Sequence, residues 1–299
     1  METRPLPQAQ LLTSTAPQEA QPAQQRPKGS GRVITLSIIG CLVIGLVAIG
    51  IAYALYVGHQ RSLQQQRQEQ EKARLNELNY NVKLFRGDME SFLKSGPTSN
   101  ADQQGMNVSA TGEVGVFEAY FNTQLQLYLG TVGQYDTSVM NFYNSSASLS
   151  AIAADRSLGT SNKNLTKMRA SSKYFYSSAR TLFTEETFKR QLADSSLPAS
   201  VKNEMLDIVM LYITHFNTTI DQAQQTENSG WDAQQQFLDL LAAHPTSWKI
   251  SGQTLEWYSQ TYYEQTKQLN AKQIDALEKA LDSLWAVGGV QAQRSGYLT

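Results

Sequence analysis

A single uninterrupted apolar run, residues 33–57 (VITLSIIGCLVIGLVAIGIAYALYV), restricts the architecture of this chain more than any other feature. Its 25 residues include no charged side chain. As an α-helix, with a rise of about 1.5 Å per residue, the run reaches about 38 Å and crosses a hydrocarbon core of about 30 Å with some tilt. No second run of this kind follows, so the sequence predicts a single N-terminal transmembrane helix.

A cleaved signal peptide is the competing interpretation of the same run. Ala52 and Ala54 flank Tyr53 in the small-x-small form of a processing site. However, the apolar part of a signal peptide spans about 7 to 15 residues close to the N-terminus. This run is longer and follows a leader of 32 residues, so we favour a membrane helix that is retained.

The residues before the run predict a disordered tail. Residues 1–32 are rich in Pro, Gln and Ala and have no apolar periodicity. Lys and Arg, which favour the cytoplasmic side of a span, are nearly balanced across it. Because the C-terminal body is low in charge and rich in small polar residues, we predict a bacterial inner-membrane protein with a cytoplasmic N-terminus and a periplasmic body. The opposite orientation stays open.

Small residues follow one stripe of the predicted span, with spacings of four, four, three and four residues. Small side chains let two membrane helices approach closely, and close packing is what drives their association in lipid. The stripe predicts an association face and a homo-oligomer, although small residues are also common in membrane helices that do not associate. Its members are Ser37, Cys41, Gly45, Ala48 and Ala52.

Beyond the span the pattern changes from polar to heptad-like. Residues 58–74 are polar on all sides and predict a helical stalk. From Leu75 to Phe92 apolar residues recur every three or four positions, which is typical of a coiled coil or bundle helix. We assign residues 75–290 to an antiparallel helical bundle, with an irregular loop at 96–115 and a C-terminal tail at 291–299.

Further heptad-like stripes predict the other helices of this bundle. They cover about 117–142, 165–182, 201–219 and 255–284, the last helix beginning near Thr254. Ser229 and the residues after it resemble a capping box that opens a separate short helix to about Ala243. No stretch shows sustained alternation with a period of two, so we predict no strand and an all-α body.

The sequence contains no convincing catalytic or metal-binding motif. The only cysteine, Cys41, lies in the apolar run, and the three histidines lack the spacing of metal ligands. Ser91 and Lys94 have the Ser-x-x-Lys spacing of penicillin-recognising enzymes, but the companion motifs are missing. The net charge of −1, with no concentrated basic face, disfavours a nucleic-acid partner. We therefore predict a chain that is not an enzyme and needs no cofactor.

Aromatic residues are more numerous than one buried stripe per helix requires. Neighbouring aromatics on a helix project in different directions, so some of them should line a surface. The candidates for an aromatic groove are Tyr174, Tyr176, Trp257 and Tyr263. Our leading prediction is a membrane-anchored structural or interaction component of a bacterial envelope assembly, whose partners are the lipid bilayer, its own copies or other envelope proteins. The alternative is a ligand-binding or sensory accessory bundle with an aromatic-lined pocket.

Overall fold

The computed structural model describes residues 31–95, 106–145, 147–252 and 254–291, with side chains from residue 46 onward. This part of the chain is mostly helical, which confirms the predicted helical bundle. The elements are α1 (Gly31–Ser95), α2 (Gly112–Ser145), α3 (Leu149–Ala154), α4 (Gly159–Leu182), α5 (Glu185–Ala193), α6 (Ala199–Ala243), β1 (Trp248–Ser251), β2 (Thr254–Trp257) and α7 (Gln260–Val287).

The chain divides within α1 into two units, one ending at Glu69 and the other beginning at Gln70. In the first unit, the polar side chains of residues 58–69 are almost all exposed. The large apolar side chains that precede them are more than half exposed as well. These apolar residues are Leu46, Val47, Ile49, Ile51, Tyr53, Leu55 and Tyr56.

The described residues do not support the predicted membrane span. Among them, no helix combines the length and the apolar character needed to cross a bilayer. The predicted span lies within α1, but the side chains of residues 33–45 fall outside the described part, including Ser37, Cys41 and Gly45 of the predicted association face. Residues 1–30 and 292–299, which hold most of the two predicted tails, also fall outside it. The span and the tails stay predictions.

The second unit packs its helices around one aromatic core. From α1, Val82, Phe85 and Met89 of the predicted heptad stripe are fully buried, whereas Leu75 is exposed. The helix therefore meets the core later than its sequence pattern indicates. At the centre, aromatic rings contact one another with centroid separations of 4.6–6.3 Å, and they are Phe121, Tyr128, Phe183, Phe188, Tyr212 and Phe216.

Two buried tyrosines fix the end of α7 to the rest of the bundle. The hydroxyl of Tyr128 on α2 donates to the carbonyl of Leu284 at 2.8 Å. The hydroxyl of Tyr212 on α6 donates to the carbonyl of Val287 at 3.0 Å. Carbonyls in the last turn of a helix have no partner within that helix. Each of these hydrogen bonds therefore satisfies a buried hydroxyl and a terminal carbonyl at the same time.

Helix α6 is continuous where the sequence pattern predicts two helices. The predicted start of a new helix at Ser229 is wrong, because α6 runs unbroken from Ala199 to Ala243. A side chain at Gly230 would place its Cβ only 3.2 Å from Ala276 and Leu277 of α7. The glycine therefore lets α6 and α7 pack closely instead of marking a helix boundary.

The prediction of no strand, and of a last helix from near Thr254, is also wrong. Residues 248–257 form an antiparallel hairpin in which Trp248 pairs with Trp257, and α7 begins only at Gln260. The strands have four residues each, which is too short to show clear alternation. The hairpin contributes to a second, smaller apolar cluster. Its buried members are Ile152, Leu158, Leu241 and Trp248.

Candidate functional site

The candidate site is a groove of about 450 Å³ between α2 and α4. The groove residues on α2 follow one another at spacings of three, one and three, and those on α4 at spacings of one, three, one and three. Each wall is therefore one helical face. No charged side chain lines it. The lining residues are Thr131, Gln134, Tyr135, Ser138, Ala170, Ser171, Tyr174, Phe175 and Ser178.

Aromatic rings form the floor and the outer wall of the groove. Tyr135 of α2 and Phe175 of α4 are buried and stack with a centroid separation of 4.2 Å and an interplanar angle of 7°. Tyr174, next to Phe175 along the chain, points outward with 76 % of its surface exposed. The groove thus offers a rigid floor and one large accessible ring among hydroxyl and amide groups.

A buried carboxyl lies behind the floor. Glu227 of α6 is fully buried, and its Oε1 accepts hydrogen bonds from the Tyr135 hydroxyl and, at 2.6 Å, from Nε1 of Trp231. Within the described residues, Glu227 Oε2 and the buried Tyr176 hydroxyl make no hydrogen bond of normal geometry. The groove floor is therefore joined through one hydroxyl to a polar cluster inside the bundle.

Burial favours the neutral forms of the ionisable groups in this cluster. It raises the pKa of Glu227, although hydrogen bonds from neighbouring hydroxyls and from Trp231 act in the opposite direction. Burial also raises the pKa of Tyr135 and of Tyr176, and the adjacent Glu227 carboxyl raises both further. The Glu227 carboxyl therefore positions the side chains of Tyr135 and Trp231 through hydrogen bonds.

A second buried carboxyl holds the chain segment at 106–111, which follows the undescribed residues 96–105. Glu118 of α2 accepts a hydrogen bond from the Ala110 N–H at 2.9 Å, and Asp88 of α1 accepts one from the Ser109 hydroxyl. Burial raises the pKa of Glu118 to about 7, and Asp88 adds to the rise while the Ala110 N–H opposes it. The neighbouring Asp88 carboxyl therefore adds to the effect of burial in disfavouring the ionised form of Glu118.

The 106–111 segment is also held by two asparagine side chains. Asn81 of α1 accepts from the N–H of Thr111 at 2.7 Å, and Asn122 of α2 accepts from the N–H of Met106 at 3.1 Å. Directly after the segment, a Cβ at Gly115 would lie only 2.3 Å from the carbonyl oxygen of Ala110. The chain can turn this tightly into α2 because residue 115 has no side chain.

The four predicted groove aromatics do not converge. Tyr174 lines the groove, and Tyr176 is buried near Glu227. Trp257 belongs to the hairpin, where its ring lies 5.4 Å from that of Tyr262, and Tyr263 is an exposed residue of α7. Two of the predicted residues therefore belong to the α2–α4 region and two to another surface.

The side chains that line the groove include neither a described residue of the predicted association face nor a histidine. Ala48 and Ala52 of the predicted association face are exposed on α1. His244 stacks on Tyr262 with a ring separation of 4.1 Å. In the portion of the chain that is described, no group of three or more His, Cys, Asp or Glu residues could hold a metal ion.

Sequence reasoning missed Tyr135, Phe175 and Glu227. Glu227 lies four residues before the buried Trp231, so it falls on the buried stripe of α6 once that helix is read as continuous. The false helix boundary at Ser229 placed Glu227 in a connection and hid this relation. A lone acid within an apolar stripe was the available indication of the buried cluster.

Comparison with known proteins does not extend this description. The chain matches no family model, no curated protein and no solved structure.

Proposed function

We propose that the chain is a non-enzymatic, membrane-anchored helical bundle that acts as a structural or interaction component of a bacterial envelope assembly. The carrying observation is the exposure of large apolar side chains on α1, from Leu46 to Tyr56. Exposure of apolar surface to water costs about 25 cal/mol per Å². Because these side chains point in all directions around the helix, lipid is a better cover for them than one flat protein surface.

The apolar character continues upstream in the sequence to Val33, which gives the proposed anchor its full length. We propose that the N-terminus is cytoplasmic and the bundle periplasmic, because the weakly charged body suits that orientation. Copies of the chain then associate through the small-residue stripe from Ser37 to Ala52, supported by packing between closely approaching helices.

Extraction of isolated membranes with alkaline carbonate tests the anchor. The full-length chain should stay with the membranes and be released only by detergent. A double variant, Leu46→Arg with Ile49→Arg, should lose this behaviour, because each arginine near a membrane centre costs about 2.5–3.5 kcal/mol. The matched control, Gln64→Arg with Gln66→Arg, adds the same charge to the polar segment and should fractionate as the wild type does. Release of the wild type by carbonate alone would refute the anchor.

Two further measurements test the orientation and the association. Protease added to intact spheroplasts should digest the bundle if it is periplasmic and leave it intact if it is cytoplasmic. Oxidation of the only cysteine, Cys41, in membranes should give a disulfide-linked dimer. The comparison variant, Cys41→Ser with Val43→Cys, moves the thiol to another helical face and should cross-link much less. Equal cross-linking of both would argue against a specific face.

Ligand binding is the second candidate function, and the α2–α4 groove favours it. The groove combines an exposed ring, Tyr174, with hydroxyl and amide groups and a stacked floor. Binding sites typically join an apolar surface to a few polar groups that orient the ligand. A fragment screen by NMR should shift resonances of α2 and α4 around the groove, and Ser171→Trp should remove those shifts by filling it. Shifts confined to other surfaces would exclude the groove.

A further inference from the structure

Helix α4 carries a charge excess that the balanced composition of the whole chain hides. Its 24 residues include five basic side chains and no acidic one. The complete chain, by contrast, has a net charge of −1. The basic residues of α4 are Lys163, Lys167, Arg169, Lys173 and Arg180.

The two arginines of α4 are neutralised on the side that faces α6. Arg169 pairs with Asp232 at 2.9 Å, and Arg180 pairs with Asp221 at 2.6 Å. Both partners belong to α6, so these ion pairs hold the two helices together. They leave the excess charge of α4 on its lysines.

Two of these lysines continue the groove wall. Lys167 lies four residues before Ser171 and seven before Tyr174, and Lys163 lies four residues before Lys167. Residues at these spacings share one helical face. Both lysines are exposed, and neither forms an ion pair with any residue that the structure describes. The α2 side chains that line the groove, Thr131, Gln134, Tyr135 and Ser138, are uncharged.

The shape and chemistry of the groove favour a sugar chain over a peptide. An extended peptide gains affinity by pairing with a strand edge, and a helical peptide needs apolar pockets for its anchors. The groove offers neither, because both of its walls are helices and its floor rings are buried. It offers instead the accessible ring of Tyr174 beside hydroxyl and amide side chains. A sugar ring has the matching combination of an apolar face and a hydroxyl rim.

We propose that the α2–α4 groove binds an acidic saccharide. One sugar ring stacks on Tyr174 and forms hydrogen bonds with the side chains of Ser171, Ser178 and Gln134. The carboxylate of a neighbouring sugar meets Lys167, and a longer chain continues to Lys163. This inference rests on the ligand-binding candidate function and specifies the class of its ligand.

Titration calorimetry with the detergent-solubilised full chain tests the proposal, with an oligogalacturonate as the probe. The probe should bind, and added salt should weaken the binding because charge attraction is screened. The methyl ester of the same oligomer retains the sugar backbone without its charge and should bind more weakly. Tyr174→Ala should weaken binding about tenfold, and Lys167→Gln about threefold with a smaller salt dependence.

Matched variants on another surface serve as controls. Tyr258 is 69 % exposed, close to the value for Tyr174, and Lys267 is exposed on α7. Tyr258→Ala and Lys267→Gln should leave the affinity for the oligogalacturonate unchanged. All four substitutions are at exposed positions, so loss of folding should not obscure the comparison.

Each alternative result would overturn the proposal in a recognisable way. Absence of oligogalacturonate binding, while NMR fragments still occupy the groove, would refute the acidic saccharide and leave the ligand-binding function intact. Absence of any ligand in the groove would refute both. Equal or tighter binding of polyglutamate or single-stranded DNA, lost in Tyr174→Ala, would assign the groove to an acidic peptide or a nucleic acid instead.

Discussion

Glu118 and Glu227 are both fully buried, yet the bundle accommodates them in opposite ways. Glu227 is surrounded by uncharged donors on helices, among them Tyr135 and Trp231. Glu118 faces another carboxyl, Asp88, and the backbone of a non-helical segment. The first arrangement serves rigid packing between helices. The second makes the attachment of a chain segment depend on a proton.

The largest effect on stability is expected when the Glu227 carboxyl is removed. Glu227→Ala removes the group to which Tyr135 and Trp231 donate and leaves a cavity beside them. The buried donors are then unsatisfied, so the free energy of unfolding should fall by about 4 kcal/mol. Urea denaturation of the full-length chain at neutral pH measures this. A loss below about 1 kcal/mol would show that water or rearrangement replaces the carboxyl.

The next largest effect concerns the pH dependence that Glu118 imposes. An unfolded Glu118 titrates near 4.5, but the folded carboxyl has a pKa of about 7. Below pH 4.5 both states are protonated and Glu118 contributes its full stability. Between pH 4.5 and about 7 only the folded state keeps the proton, so the free energy of unfolding falls by about 3 kcal/mol as pH rises.

Glu118→Gln should abolish this loss, since an amide accepts from the Ala110 N–H and donates to Asp88 without titrating. The difference in unfolding free energy between variant and wild type should therefore grow from pH 4.5 to 7 and stay constant above it. Denaturation at a series of pH values gives that difference directly. A difference that does not change with pH would contradict the raised pKa of Glu118.

A smaller loss of stability is expected when Glu227 is replaced by a side chain of the same shape that cannot ionise. Glu227→Gln keeps an oxygen for Tyr135 and Trp231 and adds an N–H that can donate to the Tyr176 hydroxyl. Because burial favours the uncharged form of the Glu227 carboxyl, the free energy of unfolding at neutral pH should change by less than about 1 kcal/mol. Thermal unfolding beside Glu227→Ala provides the measurement. A loss as large as that of the alanine variant would mean that the carboxyl is buried as an ion.

The smallest effect is expected for Asp88→Asn. The amide oxygen still accepts from the Ser109 hydroxyl, but the charge that raises the pKa of Glu118 is gone. The upper end of the pH window should therefore move to lower pH while the lower end stays. Amide NMR shifts of Ala110, followed against pH, report the Glu118 titration in both proteins. An unchanged midpoint would show that burial alone sets the pKa.

Local sequence patterns predicted the helices, but they did not predict the contacts between distant segments. Heptad stripes are local patterns, and they predicted the helical bundle correctly. The stripe of α1, for example, contains the buried residues Val82, Phe85 and Met89. Pairings between distant segments have no local pattern. The groove exists because α2 packs on α4. Residues 109 and 110 form hydrogen bonds with both Asp88 of α1 and Glu118 of α2.

Two local patterns gave wrong predictions because tertiary contacts outweighed them. A serine followed three residues later by an acid resembles a capping box, yet Ser229 lies inside α6, where Gly230 allows close packing against α7. The hairpin strands are short, and pairing across the turn stabilises them more than their own propensity does. Tyr174 was identified as a groove residue because adjacent aromatics cannot all be buried, but the sequence did not pair it with Tyr135.

The hydrogen bonds from Tyr128 and Tyr212 to the end of α7 have a consequence for the order of synthesis. Both tyrosines leave the ribosome long before Leu284 and Val287, whose carbonyls accept hydrogen bonds from the two hydroxyls. Until then, closing the aromatic core would bury two hydroxyls without partners, at a cost of about 1–3 kcal/mol each. A chain interrupted before α7 lacks the acceptors of both hydroxyls, which disfavours closure of its core.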